Sequence, residues 1–279
     1  MSSIRVLLLG GHGKISLLMT PLMLERSWHV TSVIRDPKQT SEIQSKGKDL
    51  PGIIDVLVES LDDITSIQKA QSILDKVQPQ YVVWSAGAGG KGGPSRTYAI
   101  DRDAARHFIK AATATSSVKK FLMVSYIGSR RNRAPWFTDE DWASMQKVNN
   151  EVLVDYAKAK VEADECLFAL AKHRRDGGGG GGDSAFQDIV LRPGTLTDDK
   201  AGGKIALGHT RARGEVSRAD VAEVAVKLLE TDLRGYFDLL SGEENVDEAI
   251  ARVTKDKVDA FDGEDAEAIL QKYKPLAKV

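Results

Sequence analysis

The run Leu7-Leu8-Leu9-Gly10-Gly11-His12-Gly13-Lys14-Ile15-Ser16 decides how the rest of the chain is read. An apolar stretch that opens at Ile4 ends in three glycines within four residues. Apolar character without alternation suits a strand covered on both faces. A strand, a glycine turn and a helix in this order let backbone N–H groups approach a pyrophosphate, assisted by the partial positive charge of the helix start. In the pattern G-x-x-G-x-x-G, Gly10 and Gly13 take the first two positions. Ser16, small enough for close helix–strand packing, takes the third. Gly10, Gly11, His12, Gly13, Lys14 and Ile15 are the expected phosphate cradle; the alternative is a tight turn with no ligand.

Outward from this junction, short apolar runs alternate with amphipathic stretches, the signature of βαβ units and a parallel sheet. The expected strands are Ile4–Leu9, His29–Ile34, Ile54–Val58, Tyr81–Trp84, Phe121–Ser125 and Phe186–Leu191. One helix is expected over Thr97–Ala114. A second, long one should run from about Ser144 to Ala171, because Met145, Val148, Val152, Tyr156, Ala159, Ala163, Cys166 and Leu170 recur at steps of three and four. The glycine run Gly177–Gly182 reads as a surface connection inside one domain. After Gly214 a helix is expected over Ser217–Glu230, a strand over Tyr236–Leu240 and a helix over Val246–Val253. The fold class is therefore α/β, a doubly wound parallel sheet in a single domain over residues 1–279. Residues 195–279 should contribute a small C-terminal substrate or cap region over the carboxyl ends of the strands.

Bulk properties narrow the function. The 279 residues suffice for a sizeable core, and a net charge of −1 gives no pull toward nucleic acid or anionic lipid. No apolar run approaches the roughly 20 residues that span a bilayer, and Met1–Leu9 is too short for a secretory segment. Cys166 is the only cysteine, which excludes an internal disulfide and points to a reducing, cytoplasmic setting. His12, His29, His107, His173 and His209 show no metal-ligand spacing, so no metal is expected. The expected partner is a small molecule, with no nucleic acid and no membrane, on a monomer or dimer.

The second strand ends in Val33-Ile34-Arg35-Asp36-Pro37, about 20 residues past the glycine turn, where a ribose is recognised in such folds. A carboxylate there suits NAD, whereas an arginine can pair with a 2′-phosphate. Arg35 therefore points to NADP, with NAD possible; Asp36 complicates the reading, and a solvated loop arginine is the alternative. Ser85, Ala86 and Gly87 open a run of small residues that would pass close to an adenosine or would be mere loop. Pro193 and Gly194 form a turn that would line a nicotinamide pocket, although turn chemistry alone also explains them.

Tyr156 and Lys160 stand one helical turn apart on one face. A phenol of ordinary pKa near 10 is a weak acid or base at neutral pH, and an adjacent ammonium lowers that value. The same lysine can hydrogen-bond a ribose, so one face would serve cofactor and acid/base chemistry together. Cys166 lies on the apolar stripe and reads as core. Arg130–Trp136 reads as a mobile loop, with the rim of a substrate entrance or a site for an anionic group as alternatives.

The order of these segments resembles the short-chain dehydrogenase/reductase superfamily, in its atypical NAD(P)-binding branch of NmrA-like and biliverdin reductase B-like proteins. The carriers are the glycine turn, Val33–Pro37, Asp101–Ala105, Phe121–Gly128, Tyr156–Leu167, Ile189–Thr197 and Ser217–Ala222. The resemblance implies a Rossmann sheet, NAD(P) binding and hydride transfer to or from a small-molecule carbonyl or alcohol. Tyr156 would be the general acid/base, Lys160 its modulator, and Ser125 the hydroxyl that holds the substrate oxygen. The chain departs from the pattern at Tyr126, where the second hydroxyl of a Ser-Ser pair is usual, and no catalytic asparagine is assigned. A non-catalytic NADP(H)-binding redox sensor and a flavin or quinone reductase are the competing expectations.

Overall fold

The computed structural model describes residues 3–89, 92–177 and 182–277; Gly90 and Lys91, and Gly178–Gly181 of the glycine run, lie outside the described residues. In chain order the elements are β1 (Arg5–Leu9), α1 (Lys14–Glu25), β2 (His29–Ile34), α2 (Thr40–Ser45), β3 (Ile53–Val58), α3 (Ile67–Val77), β4 (Tyr81–Trp84), α4 (Gly93–Thr97) and α5 (Ala105–Ala114). Then follow β5 (Lys120–Val124), α6 (Asp139–Lys147), α7 (Val154–Arg175), β6 (Gln187–Pro193), β7 (Thr195–Thr197), β8 (Lys204–Gly208) and β9 (Glu215–Ser217). The chain continues through α8 (Arg218–Leu229), β10 (Gly235–Ser241), β11 (Glu244–Asn245), α9 (Val246–Asp256) and α10 (Ala266–Ala277).

The main sheet has the order β11-β8-β10-β6-β5-β4-β1-β2-β3. Every neighbouring pair from β10 to β3 is parallel, and β8 and β11 close the far edge antiparallel. From β1 the chain steps outward to β2 and β3, then crosses back to β4 on the other side of β1. That reversal opens a crevice at the carboxyl ends of β1 and β4, where doubly wound sheets hold ligands. Helices α3, α5 and α7 cover one face with α10 packed outside α7, and α1, α8 and α9 cover the other. Leu7 and Leu9 enter the first core while Val6 and Leu8 enter the second, which is why β1 reads as unbroken apolar sequence.

The six expected strands are present with ends shifted by no more than one or two residues. The two helices are built differently from expectation. Thr97–Ala114 is α-helical only at its ends, with a π-helical turn over Tyr98–Ala104. The long helix is two, because a second π-helical turn at Val148–Val152 precedes a break at Leu153. The stripe keeps its spacing across this break, yet Val148 and Val152 are exposed rather than packed, Val152 to 71%. Two asparagines and β-branched valines favour helix weakly there. The α7 segment itself is well specified, with Asp155 in its first turn and Lys172, His173, Arg174 and Arg175 in its last, each sign opposing the macrodipole.

The tail contributes to two places. Strands β8, β10 and β11 extend the sheet, while β7 and β9 pair into a separate two-stranded ladder. Arg192 of β6 and Asp238 of β10, both wholly buried, tie these neighbouring strands at 2.7 Å. Arg192 also donates to the carbonyls of Ser129 and Ala260. Arg130 is buried on the other oxygen of Asp238 and donates to Ala260 as well, and Arg131 pairs with Glu165. The expectation of a free loop at Arg130–Trp136 is thus corrected: counter-charges distant in sequence pin its first half, and Trp136 stacks on His209 at 3.8 Å. Removing Asp238 would leave two buried guanidinium groups without a counter-ion. Asp238→Ala should therefore lose roughly 3–5 kcal/mol of stability, measured by urea unfolding; a loss below about 1 kcal/mol would contradict this arrangement.

Candidate functional site

Two cavities lie at the carboxyl ends of neighbouring strands. The first, of about 260 Å³, is bounded by the turn after β1 (Gly10, His12, Gly13), the end of β2 (Ile34, Arg35), the loop after β3 (Leu61, Asp62) and the loop after β4 (Ser85, Ala86, Gly87). Gly10 has φ +83°, and a Cβ there would stand 2.7 Å from the Cα of Ala86. A Cβ on Gly11 would fall on the hydroxyl of Ser32. These two glycines let β1, β2 and β4 converge.

Helix α1 starts with no side-chain cap. Gly13 N–H bonds to Gly10 O and Leu17 N–H to Gly13 O, but among the described residues no acceptor meets the N–H groups of Lys14, Ile15 and Ser16. The hydroxyl of Ser16, buried behind Gly13, is also without a partner. Donors left open at a helix start are what an anionic oxygen requires, so these residues fit a dinucleotide pyrophosphate. Of Ile15 only the backbone N–H faces this opening as a donor, since its side chain belongs to the core.

Around this cradle the side chains sort themselves. His12 pairs with Glu42 at 2.7 Å, and Lys14 reaches Asp198 at 2.5 Å. Asp36 caps the turn at Pro37–Gln39 by accepting from Lys38 N–H, so its carboxylate is occupied away from the cavity. Arg35 lines the cavity, is exposed, and among the described residues has no carboxylate within ion-pair distance. Opposite it Asp62 and Arg96 form a two-point pair at 2.8 and 3.0 Å, which holds the Asp62 carboxyl below its ordinary range.

The second cavity is larger, about 530 Å³, and mostly apolar. Its walls come from the turn after β5 (Ser125, Tyr126, Ile127, Gly128), from α6 and the π-helical turn (Met145, Val148, Asn149), from Leu153 and Tyr156, and from the tail (Pro193, Gly194, Leu196, Ala212, Arg213). The Tyr126 and Tyr156 rings lie 5.1 Å apart, and Tyr126 donates to Asn149, whose amide donates to Gly128 O. A Cβ on Gly128 would strike the Tyr126 ring at 2.6 Å. Asn149 and Gly128 are site residues that motif reading missed; both act through the backbone turn rather than through a recognisable spacing.

Lys160 is 1% exposed, and its ammonium donates to Val124 O at 2.9 Å at the end of β5. Two buried carboxylates, Asp101 from the π-helical turn and Asp164 one turn further along α7, supply its counter-charge. Asp101 also accepts from Ala88 N–H and so shapes the loop after β4. Among the described residues, no group lies within hydrogen-bond distance of the Tyr156 hydroxyl. Burial, then the charges of Asp101, Tyr126 and Asp164, push its pKa above the ordinary phenol value. The expected lowering by Lys160 is corrected here: the ammonium donates to Val124 O, and the causes that act on Tyr156 are burial and nearby negative charge, all of which raise it. Ser125 is buried beside Tyr126 and gives its proton to Asp164 at 2.5 Å. Among the described residues no three His, Cys, Asp or Glu side chains converge as a metal site would require. No helix among them is long and apolar enough to cross a membrane.

A family model described as NAD(P)H-binding matches residues 10–232. The UPF0659 protein C216.03 of Schizosaccharomyces pombe is 30% identical over 225 residues, covering 78% of this chain and 81% of that protein. The protein named as an uncharacterized sugar epimerase, YhfK, of Bacillus subtilis is 26% identical over 253 residues, 89% of this chain and 100% of its own. Among solved structures, the putative NAD-dependent epimerase/dehydratase of Bacillus halodurans superposes with a TM-score of 0.68 at 22% identity, covering 90% of this chain and 100% of that one.

Cys166 lies on the core face of α7, and burial pushes its thiol up to about 12. The native protein should resist thiol reagents at mildly alkaline pH and react with one equivalent once unfolded; rapid native labelling would contradict the burial.

Proposed function

The chain belongs to the family whose model is described as NAD(P)H-binding, and from that footing we propose that it is a cytoplasmic NADP(H)-dependent oxidoreductase of the atypical short-chain dehydrogenase/reductase type, acting on a small-molecule carbonyl or alcohol. One observation carries the reading. An uncapped helix start stands at the ends of β1 and β2 with Arg35, which among the described residues has no carboxylate within ion-pair distance, beside a roomy apolar pocket holding Tyr156 at the ends of β5 and β6. Open N–H groups of α1 bind the pyrophosphate, and Arg35 takes the 2′-phosphate. Pro193 and Gly194 floor the pocket in which the bound nicotinamide supplies or accepts the hydride.

The protein's own share of the chemistry is proton delivery and orientation. A phenol raised above its ordinary pKa stays protonated through the neutral range. Tyr156 therefore presents an O–H rather than a phenolate to the pocket, and this O–H can donate to a carbonyl oxygen as negative charge develops there. Lys160 fixes the turn after β5 that carries Ser125 and Tyr126. A second reading, a flavin or quinone reductase, gains support from the apolar walls and paired tyrosine rings, which suit a planar acceptor needing little acid catalysis.

Calorimetric titration should show NADPH binding, and Arg35→Ala should weaken NADPH by roughly ten- to a hundredfold, the worth of a charge-assisted hydrogen bond, while changing NADH little. Equal loss for both would remove the NADP assignment. In turnover with a panel of carbonyls, flavins and quinones, Tyr156→Phe should lower carbonyl reduction by about 10²–10⁴-fold. Flavin or quinone turnover indifferent to that change would favour the second reading, and absence of turnover with every acceptor would oppose both.

A further inference from the structure

Asp164 is buried in full beneath the substrate pocket, yet it bears two serine hydroxyls on one oxygen, Ser125 at 2.5 Å and Ser129 at 2.6 Å. Its other oxygen, Oδ1, is buried and has no hydrogen-bond partner among the described residues. Ser125 lines the pocket, so with its only proton committed to Asp164 it meets a ligand solely as an acceptor. A carbonyl oxygen needs a donor, and the observed orientation cannot provide one from Ser125. Protonation of Asp164 reverses this, because its O–H can donate to the Ser125 oxygen and free the serine proton to turn toward the pocket.

We propose that Asp164 is a positioning residue that sets which way Ser125 directs its proton: downward while Asp164 is ionised, and toward a substrate oxygen when Asp164 is neutral. The donor role rests on the reductase reading; the hydrogen-bond direction does not. No covalent step is involved: one proton is taken up from solvent by Asp164, the Ser125–Asp164 hydrogen bond reverses, the freed Ser125 proton turns to the pocket, and Ser129 goes on donating to the carboxyl.

The surroundings set the sense of the pH response. Lys160 on the same helix and Arg192 from β6 favour the carboxylate, as do the two serines. Tyr236 of β10 donates to the backbone carbonyl of Asp164 rather than to its side chain. Tyr126 and Tyr156 lie on the pocket side, and Arg130, Arg131, Glu165 and Glu264 surround a void of about 10 Å³ below. Burial outweighs the cations and raises the Asp164 carboxyl above its ordinary value. Ser125 therefore becomes a donor as pH falls, and carbonyl reduction gains on the acid side.

Infrared difference titration of the cofactor-free protein tests the geometry without substrate. Burial also raises Asp101, Asp188, Asp259 and Glu264, so among the buried carboxylic-acid bands that persist above the pH at which ordinary aspartates ionise, one should vanish in Asp164→Asn and shift in Ser125→Ala while the others stay. A band unaltered in both variants, or no such band, overturns the proposal. With a carbonyl substrate, wild type should lose about tenfold in kcat/KM as pH rises through this titration. Asp164→Asn, whose amide donates to Ser125 permanently, should run flat at the high level, and Ser125→Ala flat at the low level. An unchanged pH limb in Ser125→Ala also overturns it. Should Asp164→Asn fail to fold, Ser125→Ala decides in both measurements. Failure of NADPH to bind would remove the reductase reading and leave the infrared result standing.

Discussion

A buried ammonium organises the site. Lys160 has left water almost completely, at a cost of several kcal/mol unless opposite charge and hydrogen bonds compensate. Compensation comes from three elements: the carbonyl at the end of β5, Asp101 from the π-helical turn before α5, and Asp164 from α7 itself. Satisfying one charge thus brings together the turn carrying Ser125 and Tyr126, the helix carrying Tyr156, and the loop after β4. The irregular helix at Tyr98–Ala104 belongs to this bargain, since a π-turn re-aims side chains near functional sites.

The two cavities divide the work by physical character. The first is polar and backbone-built, its donors fixed by the absence of side chains at Gly10 and Gly13 and of a cap on α1. The second is side-chain-built, apolar, and lined by irregular backbone at Val148–Val152 and Leu153. Strand β1 anchors the first and β5 and β6 the second, so the sheet register fixes their relative placement.

Much of this was legible because it was local. Strand β1 with its glycine turn, β2 ending in Arg35, and the ordered β4, β5 and β6 follow from apolar runs and turn residues close in sequence. Helix α3 is readable from sequence too, with Ser66 as cap and Ile67, Ala70, Ile73, Leu74 and Val77 on one face. The break at Leu153 was not legible, since Val148 and Val152 sustain helical spacing while facing a cavity and solvent. Nor was the fate of charges: Arg130 looks like a loop cation until Asp238 and Ala260, more than a hundred residues away, are placed against it. Lys160 looks like a partner for Tyr156 until Asp101 and Asp164 claim it. Spacing shows which residues share a face; it does not show what lies opposite.

The β7–β9 ladder and the chain beside it form one wall of the apolar pocket without joining the main sheet. In evolutionary terms this separates two rates of change. Residues registered within the sheet are held by many neighbours at once, whereas Arg213, exposed on this wall, can change with little effect on the nucleotide cradle. A lineage built on this scaffold can therefore exchange one substrate for another while inheriting its cofactor unchanged.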